Sequence, residues 1–438
     1  MDSRPVTISG YVRLLRGNRN FRLLWSAQIV SEIGDWLYAV AIYSLLLEFT
    51  GKAQSIALAF VLQVLPQFFV SPSAGILNDR ISRKKVMIFA DWMRAGIVFC
   101  MVFVRTPHSV PLLYVLLVLE TVMWALFEPG RSAAIPNITA ESEMATANAL
   151  SSTTWSFDFA IGFGVGGVLA AFFGRDAVFV LNALSFAASA LLIGRMQFTE
   201  PHAENLPPLH WRDLFDYSPI REGIRYVWRD ANLRSTIFVK AGLGFMGANW
   251  VILPIFGERV FPVHYPGFNA RDSGMLGMSL LMACRGIGAI IGPLLAGYWA
   301  GGLARRMRWG ILFGFIAAGL GYISLGLAPN LPIAGLAVIA AHAGGSVLWV
   351  FSSTLLQLQT EDRFRGRVFS AEFGFAVLTM SMSSYTAGWL VDRQVPVSEV
   401  AIWVGFAVMI PMLLWAYILS RTVTSNVPLR DGPPPGSR

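Results

Sequence analysis

Apolar residues in this chain fall into repeated blocks, each long enough to carry an α-helix across roughly 30 Å of hydrocarbon. That pattern leaves few folds available, because a backbone in lipid must satisfy its own hydrogen bonds, and a helix does so within one segment. Six blocks run at residues 22–49, 54–77, 86–104, 111–128, 148–173 and 177–195. Six more run at 235–256, 273–300, 308–328, 331–357, 368–391 and 399–419. Of 438 residues, 55% are hydrophobic and 14% charged, against about 25% charged in a soluble domain. The expectation is an all-α membrane protein with twelve transmembrane helices.

Between the two sets of six lies a hydrophilic stretch, so the chain divides into a leading segment 1–21, a six-helix half 22–195, a linker 196–234 with an amphipathic part, a second half 235–420 and a tail 421–438. The tail carries Asp431-Gly432-Pro433-Pro434-Pro435-Gly436, cannot bury a core and is expected to be disordered. The first block is far longer than a signal-peptide core, so it reads as a retained membrane anchor. Cys100 and Cys284 both sit in apolar blocks, which leaves no disulfide framework and no thiol cluster spaced for metal.

The formal charge of +8 could point to nucleic acid, yet the Lys and Arg stand in the loops between blocks rather than on one exposed face. With the amino terminus placed on one side, loops on that side hold 25 of the 34 Lys and Arg. The opposite loops hold Lys52, Arg105, Arg175, Arg259, Arg271 and Arg393, while Arg94, Lys240 and Arg285 lie within blocks. The bias places both termini in the cytoplasm.

Between blocks 2 and 3 stands Gly75-Ile76-Leu77-Asn78-Asp79-Arg80-Ile81-Ser82-Arg83-Lys84-Lys85. It resembles the signature loop of the major facilitator superfamily, G-x-x-x-D-R-x-G-R-[RK], with Ser82 in place of the inner glycine. In such a loop Gly75 would permit close helix approach, and Asp79 would face the positive amino-terminal end of span 11, latching the two halves. Gly75, Asp79, Arg80, Arg83 and Lys84 are the candidate latch. Phe127-Glu128-Pro129-Gly130-Arg131, with Ala147-Asn148-Ala149-Leu150 after it, is similar to the span 4 to span 5 connection of the enterobactin-exporter-like and macrolide-efflux-like branch. Ile220-Arg221-Glu222-Gly223 is similar to that branch's linker, and Arg365-Gly366-Arg367-Val368 to its entry into span 11. The resemblance implies the major facilitator fold: two pseudo-symmetric six-helix halves around a midplane cavity, in a bacterial inner membrane.

Gly162-Phe163-Gly164-Val165-Gly166-Gly167 in span 5 is similar to the G-P-x-x-G-G element of exporters in this superfamily, with Phe163 replacing the proline. Gly292-Pro293-Leu294-Leu295-Ala296-Gly297 in span 8 is its counterpart. Gly162, Gly166, Gly167, Gly292, Pro293 and Gly297 are therefore candidates for close helix packing and bending.

Ionisable groups far from either membrane surface carry most of the functional information, since a charge at mid-bilayer costs about 2.5–3.5 kcal/mol even on insertion scales. Asp35 stands near the middle of span 1 with Glu32 three residues earlier; Glu120 is central in span 4, Arg285 in span 8 and His342 in span 10. The resemblance places spans 1, 4 and 10 around the cavity, so Asp35, Glu32, Glu120, Arg285 and His342 form the candidate proton-coupling and substrate group. Asp35 is the first choice for the proton-carrying acid, against a static ion pair with a partner such as Arg285. Asp91, Arg94, Asp158, Lys240 and Glu372 are placed nearer the cytoplasmic end, where long side chains snorkel and structural pairing is expected. Trp36, Tyr38, Trp124, Phe127, Trp155, Trp250 and Trp349 would suit a bulky aromatic cargo if they face inward.

There is no phosphate-cradling G-x-x-x-x-G-K-[ST] loop and no His or Cys cluster with metal spacing. No enzyme, cofactor or metal is expected. The leading expectation is a proton-coupled secondary exporter of a lipophilic or aromatic small molecule, such as a siderophore, macrolide or drug. Its partners are the bilayer, the cargo and protons, with no nucleic acid; the oligomeric state is open, a monomer being compatible. A facilitator or lipid-moving member without proton coupling is the alternative, and a transport-inactive sensor a third reading.

Overall fold

The computed structural model describes residues 8–200, 218–229, 231–361 and 364–424. The expected tail from 425 onward and the linker stretch 201–217 lie outside the described residues. A short amphipathic helix α1 (Ile8–Gly17) leads into α2 (Arg19–Thr50), α3 (Ala53–Arg80), α4 (Arg83–Cys100), α5 (Val110–Ile138), α6 (Glu141–Phe173) and α7 (Arg175–Gly194). The linker helix α8 (Ser218–Arg229) precedes α9 (Ala231–Leu243), α10 (Asn249–Ile255), α11 (Ala270–Ala300), α12 (Ala304–Gly326), α13 (Leu331–Gln359), α14 (Arg365–Asp392) and α15 (Val397–Thr424).

Among the described residues, with α9 and α10 taken as one interrupted crossing, twelve helices are long enough to span. Among the described residues, eleven are also apolar enough by composition. The exception is α14, whose 28 residues reach about 42 Å but include Glu372 and several Ser and Thr. Its polar groups are turned inside the protein, with Glu372 paired to Lys240 and Ser381 and Ser384 buried.

Helix ends follow local chemistry. Asn18 Oδ1 accepts from the Phe21 amide at 2.9 Å, capping α2, and Gly51 closes that helix at φ +65°, a conformation costly for residues with a Cβ. Ser82 caps α4, its hydroxyl accepting from the Lys85 amide. The α9–α10 crossing is broken by a 3-10 stretch over Gly244–Ala248 and a π turn over Phe256–Val260 that follows Pro254. Proline removes one helical donor, and Gly247 has Met380 backbone so close that no side chain would fit.

Two compact units result, and they differ from the sequence halves by one segment. Unit 1 holds the chain up to residue 216 together with Pro254–Ala283; unit 2 holds the remainder. The boundary thus falls at Pro254 and inside α11. In unit 1, α2 packs on α6 and α7, α3 on α5, and α4 on α5 and α7. Small residues let the backbones meet: a Cβ on Gly166 would stand 2.7 Å from Leu37 O, and one on Gly162 would strike Trp36. Gly167 abuts Ser279, whose hydroxyl donates to Phe163 O at 2.5 Å and Gly164 O at 3.0 Å. These bonds bring the first part of α11 into unit 1. In unit 2, α12 lies against α13 and α15, while Gly288 and Gly292 of α11 press on the α13 backbone at Ile339 and Ala343. A Cβ on Gly75 or Gly297 would meet nothing within 4 Å. The close approach expected at those two glycines is absent among the described residues.

Candidate functional site

The most unusual side chain is Arg94, only 2% exposed in the middle of an apolar bundle. Its Nε donates to Glu120 Oε1 at 2.8 Å and one terminal nitrogen to Asp35 Oδ2 at 2.6 Å, while Asp91 Oδ1 stands 3.6 Å from the other. Four helices therefore converge on one guanidinium: α2 supplies Asp35, α4 supplies Asp91 and Arg94, α5 supplies Glu120, and α7 supplies Ser189, whose hydroxyl donates to Asp91 Oδ2 at 2.5 Å. The ring of Phe186 covers the guanidinium at 3.9 Å, a cation–π contact strengthened by the absence of water. Arg94 does not reach for a surface: it is buried and paired, as the structural pairing expected of it and Asp91 requires. The physical reason is enclosure: a guanidinium with three carboxylates in reach gains more from them than from a distant surface.

The cluster holds one cation against three carboxyls. If all ionised, two negative charges would stand uncompensated in a medium where unmatched charge is expensive. Asp35 is its most accessible member, its side chain 19% exposed against 2% for Arg94, 0% for Asp91 and 8% for Glu120. Its second oxygen, Oδ1, receives no hydrogen bond. Glu120 and Asp91 would still hold Arg94 if Asp35 gave up its ion pair.

Glu32, three residues before Asp35, faces a different cluster. Asp158 on α6 and Gln28, one turn earlier on α2, are among its neighbours. Nearby on α5, Arg131 is gripped by Glu128 through bonds of 2.9 and 2.5 Å and donates to Gln28 Oε1 at 3.0 Å. Beside this group the rings of Trp36, Trp155, Phe159 and Phe163 cluster in tilted and edge-on contacts with centroids 4.6–6.0 Å apart.

Arg285 and His342 belong to unit 2. Arg285 lies over the Trp250 ring at 4.4 Å. His342 shares a 3.1 Å hydrogen bond with Tyr322 in a buried position. Lys240 pairs with Glu372 at 2.8 Å, donates to Ser353 and lies over Trp349 at 4.1 Å. Of the aromatic residues named from sequence, Tyr38, Phe127 and Trp250 are buried, whereas Trp155 and Trp349 are exposed.

In the latch loop, Asp79 is 75% exposed and stands 3.7 Å from Arg83 one turn on. Arg83 donates to Ala133 O at 2.8 Å, and Lys84 to Met196 O at 2.6 Å. Sequence reasoning missed Glu200, which accepts from the Ser82 hydroxyl at 2.5 Å and the Arg83 amide at 2.7 Å. A carboxylate at the amino end of α4 satisfies donors that the helix leaves open. At the other end of unit 1, Glu48 bridges Arg175, at 2.5 Å, and Arg271, while Arg259 donates to Gly51 O at 3.0 Å. Among the described residues no group of His, Cys, Asp and Glu could hold a metal ion.

Known proteins share this architecture. A peptide transporter of the POT type in complex with alafosfalin superposes with a TM-score of 0.73 at 13% identity, covering 92% of this chain and 95% of that one. The nucleoside transporter NupG gives 0.72 at 12% identity, covering 92% and 100%. These likenesses show the fold. The uncharacterized MFS-type transporter YkuC of Bacillus subtilis (strain 168) is 27% identical over 285 residues, which span 64% of this chain and 65% of that protein. Macrolide efflux protein A of Streptococcus pyogenes is 25% identical over 85% of this chain and 89% of its own length. The multidrug efflux pump Tap of Mycobacterium bovis (strain BCG / Pasteur 1173P2) is 25% identical over 84% and 86%. A family model described as Major Facilitator Superfamily matches residues 24–371. With twelve crossing helices, the signature loop between α3 and α4 and this match over most of its length, the chain belongs to the Major Facilitator Superfamily.

Proposed function

We propose that this transporter is a proton-coupled exporter of a lipophilic or aromatic small molecule, working by alternating access in a bacterial inner membrane with both termini cytoplasmic. The observation that carries the reading is Asp35 on Arg94: a carboxyl whose side chain is 19% exposed, with one oxygen paired and the other buried without a hydrogen bond, bound to a buried cation that two further acids also hold. Protonation of Asp35 relinquishes one ion pair without stranding Arg94, so the cluster can load and unload a proton at low structural cost. Efflux is supported by the names of the relatives, which include a macrolide efflux protein and a multidrug efflux pump. Orientation rests on the Lys and Arg bias of the loops.

The test uses inside-out membrane vesicles with an acidified lumen and a panel of macrolides, siderophores and aromatic amphiphiles. Lumenal pH should rise when a cargo is added to wild-type vesicles and stay flat in correctly inserted Asp35→Asn. Cargo movement without proton movement would favour a facilitator and end the coupled reading.

A further inference from the structure

The linker helix α8 is held on one side and left open on the other. Val227 is 6% exposed and packs with Leu233 and Ile237 of α9, Leu356 of α13 and Val368 of α14. Tyr226 stacks on Phe364 with centroids 4.2 Å apart, and Glu222 pairs with Arg367 at 2.5 Å. The next residue after Val227, Trp228, is instead 54% exposed. All of these residues belong to unit 2.

Trp228 and Arg234 form the polar end of a groove between α8, α9 and α14. The Arg234 guanidinium lies over the Trp228 ring at 5.8 Å, and no carboxylate is paired with it among the described residues. The rest of the lining is apolar and includes Ile224, Ile237, Phe238 and Phe375. Phe238 follows Arg234 by one helical turn on the same face of α9. It is 46% exposed and lies 6.0 Å from the Phe375 ring. The membrane-crossing segment that contains α9 starts at Leu233. An apolar surface that begins at the first turn of a crossing helix and runs inward is suited to lipid, and Trp and Arg at its outer end suit the depth of the headgroups.

Charge selects among lipids. From Arg221 to Arg234 the sequence carries Arg221, Arg225, Arg229 and Arg234 against Glu222 and Asp230, and Glu222 is engaged by Arg367. A basic amphipathic helix beside a crossing helix attracts anionic lipid. A zwitterionic headgroup brings its own cation to compete with Arg234, whereas an anionic one does not. We propose that this groove binds one anionic phospholipid, its phosphate on Arg234 beside Trp228 and an acyl chain along Phe238 and Phe375. The site is separate from the Arg94 cluster and does not rest on proton coupling.

Native mass spectrometry of the purified full-length protein, in detergent supplemented with equimolar phosphatidylglycerol and phosphatidylcholine, reads which lipid stays bound. Wild type should retain phosphatidylglycerol in preference. Arg234→Gln should weaken that retention about fivefold, as expected for one arginine near an anionic lipid surface. Arg393→Gln removes another arginine that lies over a tryptophan, Trp389 at 4.1 Å, and should leave retention unchanged. Equal loss in both variants, or none in either, would overturn the proposal. Glycerophosphoglycerol, the headgroup without its chains, should not displace the lipid; displacement would mean an anion site and contradict a lipid one. Should Arg234→Gln fail to fold, the wild-type chain decides: phosphatidylglycerol with a photoreactive acyl chain should label α9 and α14 around Phe238 and Phe375, and labelling spread over the other crossing helices would overturn the groove.

Discussion

Arg94 donates to Asp35 at 2.6 Å and to Glu120 at 2.8 Å, so one guanidinium ties α4 to both α2 and α5 deep in the bundle. The consequences for stability are unequal. Arg94→Ala leaves three acids around an empty space, and breaking a buried pair by removing one partner costs about 3–5 kcal/mol. Asp35→Asn keeps an acceptor beside Arg94 and leaves Glu120 and Asp91 in place. Thermal unfolding in detergent should therefore show a large loss for Arg94→Ala and a small one for Asp35→Asn. Equal losses would mean that the cluster does not rest on its cation.

The glycine positions divide by what stands beside them. Gly166 meets Leu37 backbone and Gly292 meets Ala343 backbone, so valine at either should separate the helices and sharply lower the folded yield in size-exclusion profiles. Gly75→Ala and Gly297→Ala have open space around them, and changes at such places normally stay within about 0.5 kcal/mol. A profile for Gly297→Ala as poor as that for Gly292→Val would contradict this division.

Glu200 holds the start of α4 through Ser82 and the Arg83 amide. Glu200→Ala should loosen the loop that carries Asp79, seen as faster amide hydrogen exchange across residues 79–86, with the rest of unit 1 unchanged. Asp79→Asn should leave that exchange near wild type, because Asp79 is exposed, yet slow transport turnover.

At the opposite end of unit 1, Glu48 joins Arg175 and Arg271. Glu48→Gln removes the charge that holds two arginines together. Accessibility of a cysteine placed at Ser279 to a membrane-impermeant thiol reagent should increase in that variant, since Ser279, about two turns after Arg271 on α11, is buried against α6. The control is the same cysteine with Glu48 intact.

Much of the fold is legible in sequence because lipid imposes it: a helix that must hide its own backbone needs a long apolar run, and those runs are visible. Even α14, polar for a crossing helix, shows in the register from Val368 to Val391. The break between α9 and α10 was less visible, although Gly244, Gly247 and Pro254 are its local causes. Asp35 and Glu120 stood out as mid-membrane charges, but their shared partner did not. Arg94 lies close to the middle of the block 86–104, too deep for snorkelling, and that position was the available signal. Glu32 and Asp158, like Glu200 and the α4 start, come together from more than a hundred positions apart, and spacing along one chain carries no trace of that.

The central claim is that Asp35 links proton movement to cargo movement. Proteoliposomes containing the Asp35→Asn variant separate the two: exchange of labelled for unlabelled cargo across the membrane needs only alternating access, whereas accumulation against a gradient needs a coupled proton. Exchange should persist, and accumulation driven by a pH difference should be lost. Accumulation at the wild-type level in Asp35→Asn would contradict the claim.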